Sequence, residues 1–181
     1  LLGQTGDAKT TKTVLVSSGG QVYALLHARE TLLDVASGQS NLEYLYCNLR
    51  HGSALISLAS LSFLQSDPRI VLAPITADQA KELGVAVYPL AKEPFKFSEA
   101  VLVGSGEGYY GEAPFQLDPE TSKYVRLQRE RFSKLFGKFT PSRGDLVFSK
   151  TGELLGLMAN NEYCVVLDDL TTGGSVGLSA T

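Results

Sequence analysis

The sequence has no tryptophan, a single methionine, two cysteines and two histidines in 181 residues. Two cysteines, Cys47 and Cys164, are too few for a disulfide framework. Each stands in an apolar, aromatic run, where a buried and inert thiol is the expected state. His27 and His51 are the only imidazoles, and the four residues lie far apart along the chain. A clustered ligand set is therefore missing, and no metal or other cofactor is expected. Excess charge is scarce too. Sixteen basic and nineteen acidic residues leave a net −3, which provides no field for nucleic acid or a membrane surface. No apolar run approaches the roughly 20 residues of a membrane helix, so no membrane insertion is expected of this segment. An initiator methionine is also lacking. The chain opens Leu1-Leu2-Gly3 and is expected to be a processed or excised fragment, which leaves its compartment open.

What is present fits a globular protein: 44% hydrophobic and 19% charged residues. The length suits one ordinary domain or two small barrels. Short apolar runs punctuated by turns dominate. Thr13–Ser17 and Gln21–Leu26 flank the Gly19-Gly20 turn. Leu42–Leu49 alternates and carries aromatics, and Ala54–Leu64 returns as a long apolar strand after Arg50-His51-Gly52. Arg69–Ile75, Val85–Leu90, Ser98–Val103 and Glu162–Asp168 are further strands. Thr76 with Gln79 has the capping-box form and Gly84 is a stop signal, so a short helix is expected at 76–83. In the charged stretch from Pro119 to Gly137, Tyr124, Leu127, Phe132, Leu135 and Phe136 fall near helical spacing. That spacing predicts a second helix over 119–136. Residues 1–12 read as a flexible lead-in and 171–181 as a flexible tail. The predicted class is all-β.

The stretch with most chemical content runs from Thr140 to Met158, T-P-S-R-G-D-L-V-F-S-K-T-G-E-L-L-G-L-M. It places Ser142 before a short apolar strand, a Lys-Thr-Gly turn and a second apolar strand. The early piece, V-L-V-S-S-G-G-Q-V-Y-A-L-L-H-A from Val14 to Ala28, is strand, glycine turn, strand and then His27. In this order the two pieces resemble the trypsin-like serine peptidases, especially the HtrA-like branch. The resemblance covers most of residues 13–168 and is absent over 112–138.

The resemblance implies two Greek-key β-barrels: 13–75, then a linker with the short helix at 76–97, then 98–170 with a helical insertion. It implies acyl transfer on a polypeptide substrate, with Ser142 attacking and His27 moving the proton. Asp67, in an Asp67-Pro68 pair ahead of Ile70-Val71-Leu72-Ala73, would be the orienting acid. The N–H groups of Thr140 and Ser142 would form the oxyanion hole. A secreted or periplasmic setting follows from the same likeness. The chain departs from the family pattern in four places. Leu25 and Leu26 are bulky before the histidine, and Arg69 stands directly before the acid's strand. Thr140-Pro141 replaces a glycine-containing pair, and Arg143 replaces a glycine. Losing the acid lowers turnover by about four orders of magnitude, and losing one oxyanion donor by about 10²–10³. The alternative is a pseudo-peptidase that binds a partner protein without cutting it.

Competing motifs are weaker. Gly106–Gly111 matches G-x-G-x-x-G, but Pro114 and the polar run after it offer no helix N-terminus for a pyrophosphate. A Cys47–His27 pair meets the objection of a strand-buried thiol. His51, in Leu49-Arg50-His51-Gly52, reads as a solvated turn residue. Ser53 is a further occupant of the acid's neighbourhood, without the needed charge. Glu120–Lys138 reads as a solvated helix face or a partner-binding one.

Overall fold

A computed structural model describes residues 2–4, 7–31, 33, 45–104, 110–118, 121–127 and 141–179. The chain is all-β, as its turn-punctuated apolar runs predict, and divides into two compact units. Unit 1 comprises Leu1–Val87 with Leu170–Thr181, and unit 2 comprises Tyr88–Asp169.

Unit 1 opens on β1 (Leu2–Gln4) and β2 (Asp7–Lys9), so the expected lead-in contains a paired hairpin. β3 (Leu15–Ser18) and β4 (Gln21–His27) form the glycine-turn hairpin, with Gly19 at φ 58° and Gly20 at φ 84°. Both angles are left-handed, which is why two glycines stand there. β5 (Tyr46–His51) and β6 (Ala54–Ser57) form a second hairpin. The long strand expected over 54–64 is broken: β7 begins only at Ser60 and runs to Leu64. The chain changes sheets at the break. There Leu58 N–H donates to Cys47 O, and Ala59 O accepts from Leu178 N–H. β8 (Ile70–Ile75) follows and pairs with both β4 and β7.

Helix α1 (Ala77–Leu83) has the predicted capping box in full. Thr76 Oγ1 accepts from Gln79 N–H, Gln79 Oε1 accepts from Thr76 N–H, and Gly84 closes the helix at φ 63°. β9 (Val87–Pro89) contains the boundary between the units. The expected tail is also a strand. β17 (Thr172–Gly177) pairs antiparallel with β7, giving the sheet order β17-β7-β8-β4-β3-β9 beside the four-stranded β2-β1-β5-β6. Its glycine-rich composition hid a strand held largely by backbone pairing. The unit's core gathers Leu15, Ala24, Leu26, Cys47, Ile56, Leu61, Val71 and Leu83.

Unit 2 contains β10 (Glu99–Val103), β11 (Tyr110–Pro114), β12 (Leu117–Asp118), β13 (Thr121–Arg126), β14 (Leu146–Phe148), β15 (Leu154–Met158) and β16 (Tyr163–Val166). The sheet order is β11-β10-β14-β15-β16-β13-β12. β14, β15 and β16 are successive neighbours and β13 returns beside β16, which is Greek-key connectivity. The helix expected over 119–136 is therefore corrected at its start: Thr121–Arg126 is strand, with Tyr124, Val125 and Arg126 paired to β16. Val125 and Leu127 are buried and Arg126 between them is exposed, an alternation of period two. The rest of that expected helix lies outside the described residues.

Candidate functional site

His27 ends β4 and is 3% exposed. Its cross-strand partner is Ile70, the first residue of β8, and Ala28 N–H donates to Arg69 O at 2.6 Å. Asp67 stands just before β8, where its carbonyl accepts from Ile70 N–H at 3.0 Å. The β4–β8 ladder therefore brings His27 and Asp67 to the same end of one strand pair. Buried apolar residues on β8, Ile70 through Ala73, fix that register.

Both groups carry local commitments that spacing alone did not reveal. Asp67 is 4% exposed, and its carboxylate lies in the fork of Arg69. Arg69 Nε donates to Oδ1 at 2.9 Å and Nη2 donates to Oδ2 at 2.6 Å, while the Arg69 backbone N–H donates to Oδ1 at 3.1 Å. Such bidentate pairing is among the stronger charge-assisted arrangements. Asp67-x-Arg69 was visible in the sequence as an acid followed by a cation at the strand's start.

His27 caps the short 3₁₀ turn Ala28–Glu30, its Nδ1 accepting from Arg29 N–H at 3.2 Å. A nitrogen that accepts holds a lone pair, so the neutral ring carries its proton on Nε2. A triad needs the reverse: Nδ1–H directed at the acid and Nε2 accepting from the serine.

Ser142 belongs to unit 2 and is exposed. Its backbone N–H donates to Asp145 Oδ2 at 2.7 Å, and Asp145 N–H donates back to Ser142 O at 3.1 Å. Gly144 between them has φ 87°, a left-handed conformation that suits glycine. Gly144 N–H donates to Met158 O and Met158 N–H to Asp145 O, both at 2.8 Å, anchoring the turn to the end of β15. Asp145 itself is 3% exposed. The Ser142 amide, expected as an oxyanion donor, is thus engaged by a buried carboxyl side chain. The other expected donor, Thr140, lies outside the described residues. Asp145 escaped notice as a site residue, although Ser142-x-x-Asp145 has the spacing of a local side-chain-to-backbone bond.

His51 ends β5 and is exposed, as expected of a turn residue, but its Nδ1–H donates to Leu83 O at 2.8 Å. The carbonyl can only accept, which fixes the proton on Nδ1. Cys47 and Cys164 are both buried free thiols, and burial pushes each upward from its ordinary pKa. That leaves little thiolate for a Cys47 nucleophile. No group of three or more His, Cys, Asp or Glu capable of holding a metal occurs among the described residues. No helix among them is long and apolar enough to cross a membrane.

No protein-family model matches the sequence, and no curated protein matches it. A solved structure similar in trace is the serine protease domain of the Sesbania mosaic virus polyprotein. Thirteen percent of residues are identical, 91% of this chain and 92% of that chain are covered, and the TM-score is 0.46. A likeness at that score assigns neither a residue role nor an activity.

Proposed function

We propose that this chain is a trypsin-like peptidase fold that has lost hydrolysis and acts as a pseudo-peptidase, holding a partner polypeptide instead of cutting it. Support for the framework comes from the order of His27 and Ser142 in matching turn contexts, with Asp67 between them in the chain, and from the division into two all-β units. The narrower HtrA-like likeness rests on the Ser142–Leu157 segment alone.

The observation that carries the loss of hydrolysis is the bond from Ser142 N–H to Asp145 Oδ2. An oxyanion hole works by preorganised donors that face the developing charge with nothing else to bond. Here that donor would have to leave a buried carboxyl side chain first. A carboxylate in the hole's position also repels the anion it should stabilise. The ring tautomer set by Arg29 N–H and the Arg69 fork on Asp67 argue in the same direction.

One observation favours the alternative of an active serine endopeptidase: His27 and Asp67 share one end of the β4–β8 pair. In that reading Ser142 attacks, His27 carries the proton, Asp67 orients the ring, and Thr140 and Ser142 supply the oxyanion hole. Treatment of the full chain with a fluorophosphonate probe separates the two. No covalent label is expected under conditions that label an active serine peptidase. A label that disappears in Ser142→Ala selects the endopeptidase and overturns the proposal.

A further inference from the structure

Unit 1 contains a half-open cavity of about 170 Å³ lined by Val14 and Leu15 at the start of β3, Leu49 and His51 on β5, and Leu83 and Ala86 around the end of α1, among others. Its wall is mostly aliphatic. The size matches engineered apolar cavities of about 150 Å³ that admit a benzene ring.

Few polar groups are placed to serve an occupant. Thr13 is also in the wall, but its hydroxyl is committed, donating to Leu25 O and accepting from Leu25 N–H at 3.1 Å. Arg50 is also among the lining residues, but it lies between Leu49 and His51, so strand alternation turns its side chain to the opposite face. Its cross-strand neighbour Leu55, 53% exposed, marks that face as the solvent side. His51 remains. Its Nδ1–H is spent on Leu83 O, so the neutral ring offers one acceptor, Nε2, beside an aliphatic cavity. Because a backbone carbonyl fixes the tautomer, the acceptor needs no reorganisation when a donor arrives.

We propose that this cavity is a binding site for a small phenolic ligand, the ring filling the aliphatic wall and the hydroxyl donating to His51 Nε2. The chemistry selects a ring the size of benzene with one donor. An aliphatic carboxylate of similar size would bring an acceptor to an acceptor. The site lies wholly within unit 1 and is independent of any reading of Ser142.

Phenol and toluene, titrated separately into the full chain and followed by NMR at the His51 ring and the Leu49 and Leu83 amides, test the proposal. Saturable shifts are expected with phenol. Toluene should bind about five- to tenfold more weakly, the worth of one hydrogen bond. Ala86→Trp, at an exposed position on the cavity's rim, should abolish phenol binding. His51→Phe should bring phenol down to the affinity of toluene. If His51→Phe fails to fold, the toluene comparison and Ala86→Trp still decide. Shifts that do not saturate, equal affinity for the two rings, or unchanged phenol binding in Ala86→Trp each overturn the assignment.

Discussion

Asp145 holds Ser142 through two bonds of opposite sense, its carboxyl side chain accepting the serine's amide at 2.7 Å and its own amide donating to the serine's carbonyl at 3.1 Å. The turn is therefore closed by the residue that follows Gly144. Asp145→Ala should cost about 1.5–3 kcal/mol, the range for a hydrogen bond to a charged, buried partner. Amide hydrogen exchange at Ser142 should accelerate, while Asp145→Asn, which keeps an acceptor oxygen, should protect it better. Equal exchange rates in the wild type and Asp145→Ala would remove this account of the turn.

The Asp67–Arg69 pair is asymmetric, with 4% of the acid's side chain exposed and 48% of the cation's. Removing the cation leaves a buried charge with fewer donors, whereas removing the charge frees an arginine to reach solvent. Arg69→Ala should therefore destabilise more than Asp67→Asn. The loss should be about 2 kcal/mol, discounted from fully buried pairs because Arg69 is half in water. Urea denaturation of both variants gives the comparison, and a larger loss in Asp67→Asn would reverse the argument.

Two glycines of the β14–β15 hairpin region should respond differently to alanine. A Cβ on Gly156 would lie 2.2 Å from Val165 O and 2.5 Å from Cys164 Sγ, so the neighbouring strand β16 must move. Gly156→Ala should cost more than about 3 kcal/mol, the upper range of overpacking. Gly152 has open space around it but φ of 94°, so Gly152→Ala should cost only about 1–2 kcal/mol of backbone strain. Melting curves of the two variants test the ranking.

Glu153 accepts from Ser149 Oγ and Thr151 Oγ1, and these bonds hold its carboxyl below the ordinary value of 4.5. A group whose folded value is depressed contributes stability above its unfolded value and loses it as pH falls through the folded one. Glu153→Gln should therefore flatten the decline of stability below about pH 4.5, measured by denaturation at stepped pH. An unchanged slope would mean the hairpin does not contribute to acid sensitivity. The side chain meets water, so the effect is small next to that of buried acids.

Local grammar was the legible part of this chain. The capping box of Thr76 and Gln79, the Gly19-Gly20 turn and the alternating apolar runs each encode their element within a few residues, and α1, β3 and β4 follow. β17 was illegible because its stability lies in pairing with β7, distant in sequence, and glycines carry no side-chain pattern. Residues 121–126 misled because Tyr124 and Leu127 satisfy helical spacing while Val125 and Leu127 satisfy alternation, and only β16 decides between them. In the candidate site, His27, Asp67 and Ser142 are singled out by the family resemblance of their segments. The bonds that engage them come from residues two or three positions away: the Arg29 amide, the Arg69 fork and the Asp145 carboxyl side chain.

The return of β17 to β7 makes unit 1 discontinuous, with all of unit 2 lying between its two pieces. During synthesis on the ribosome, β7 emerges long before the strand that covers its outer edge. The nascent chain must therefore carry an open sheet edge while Tyr88–Asp169 is still being made, an interval in which holding chaperones or early pairing errors find their opportunity.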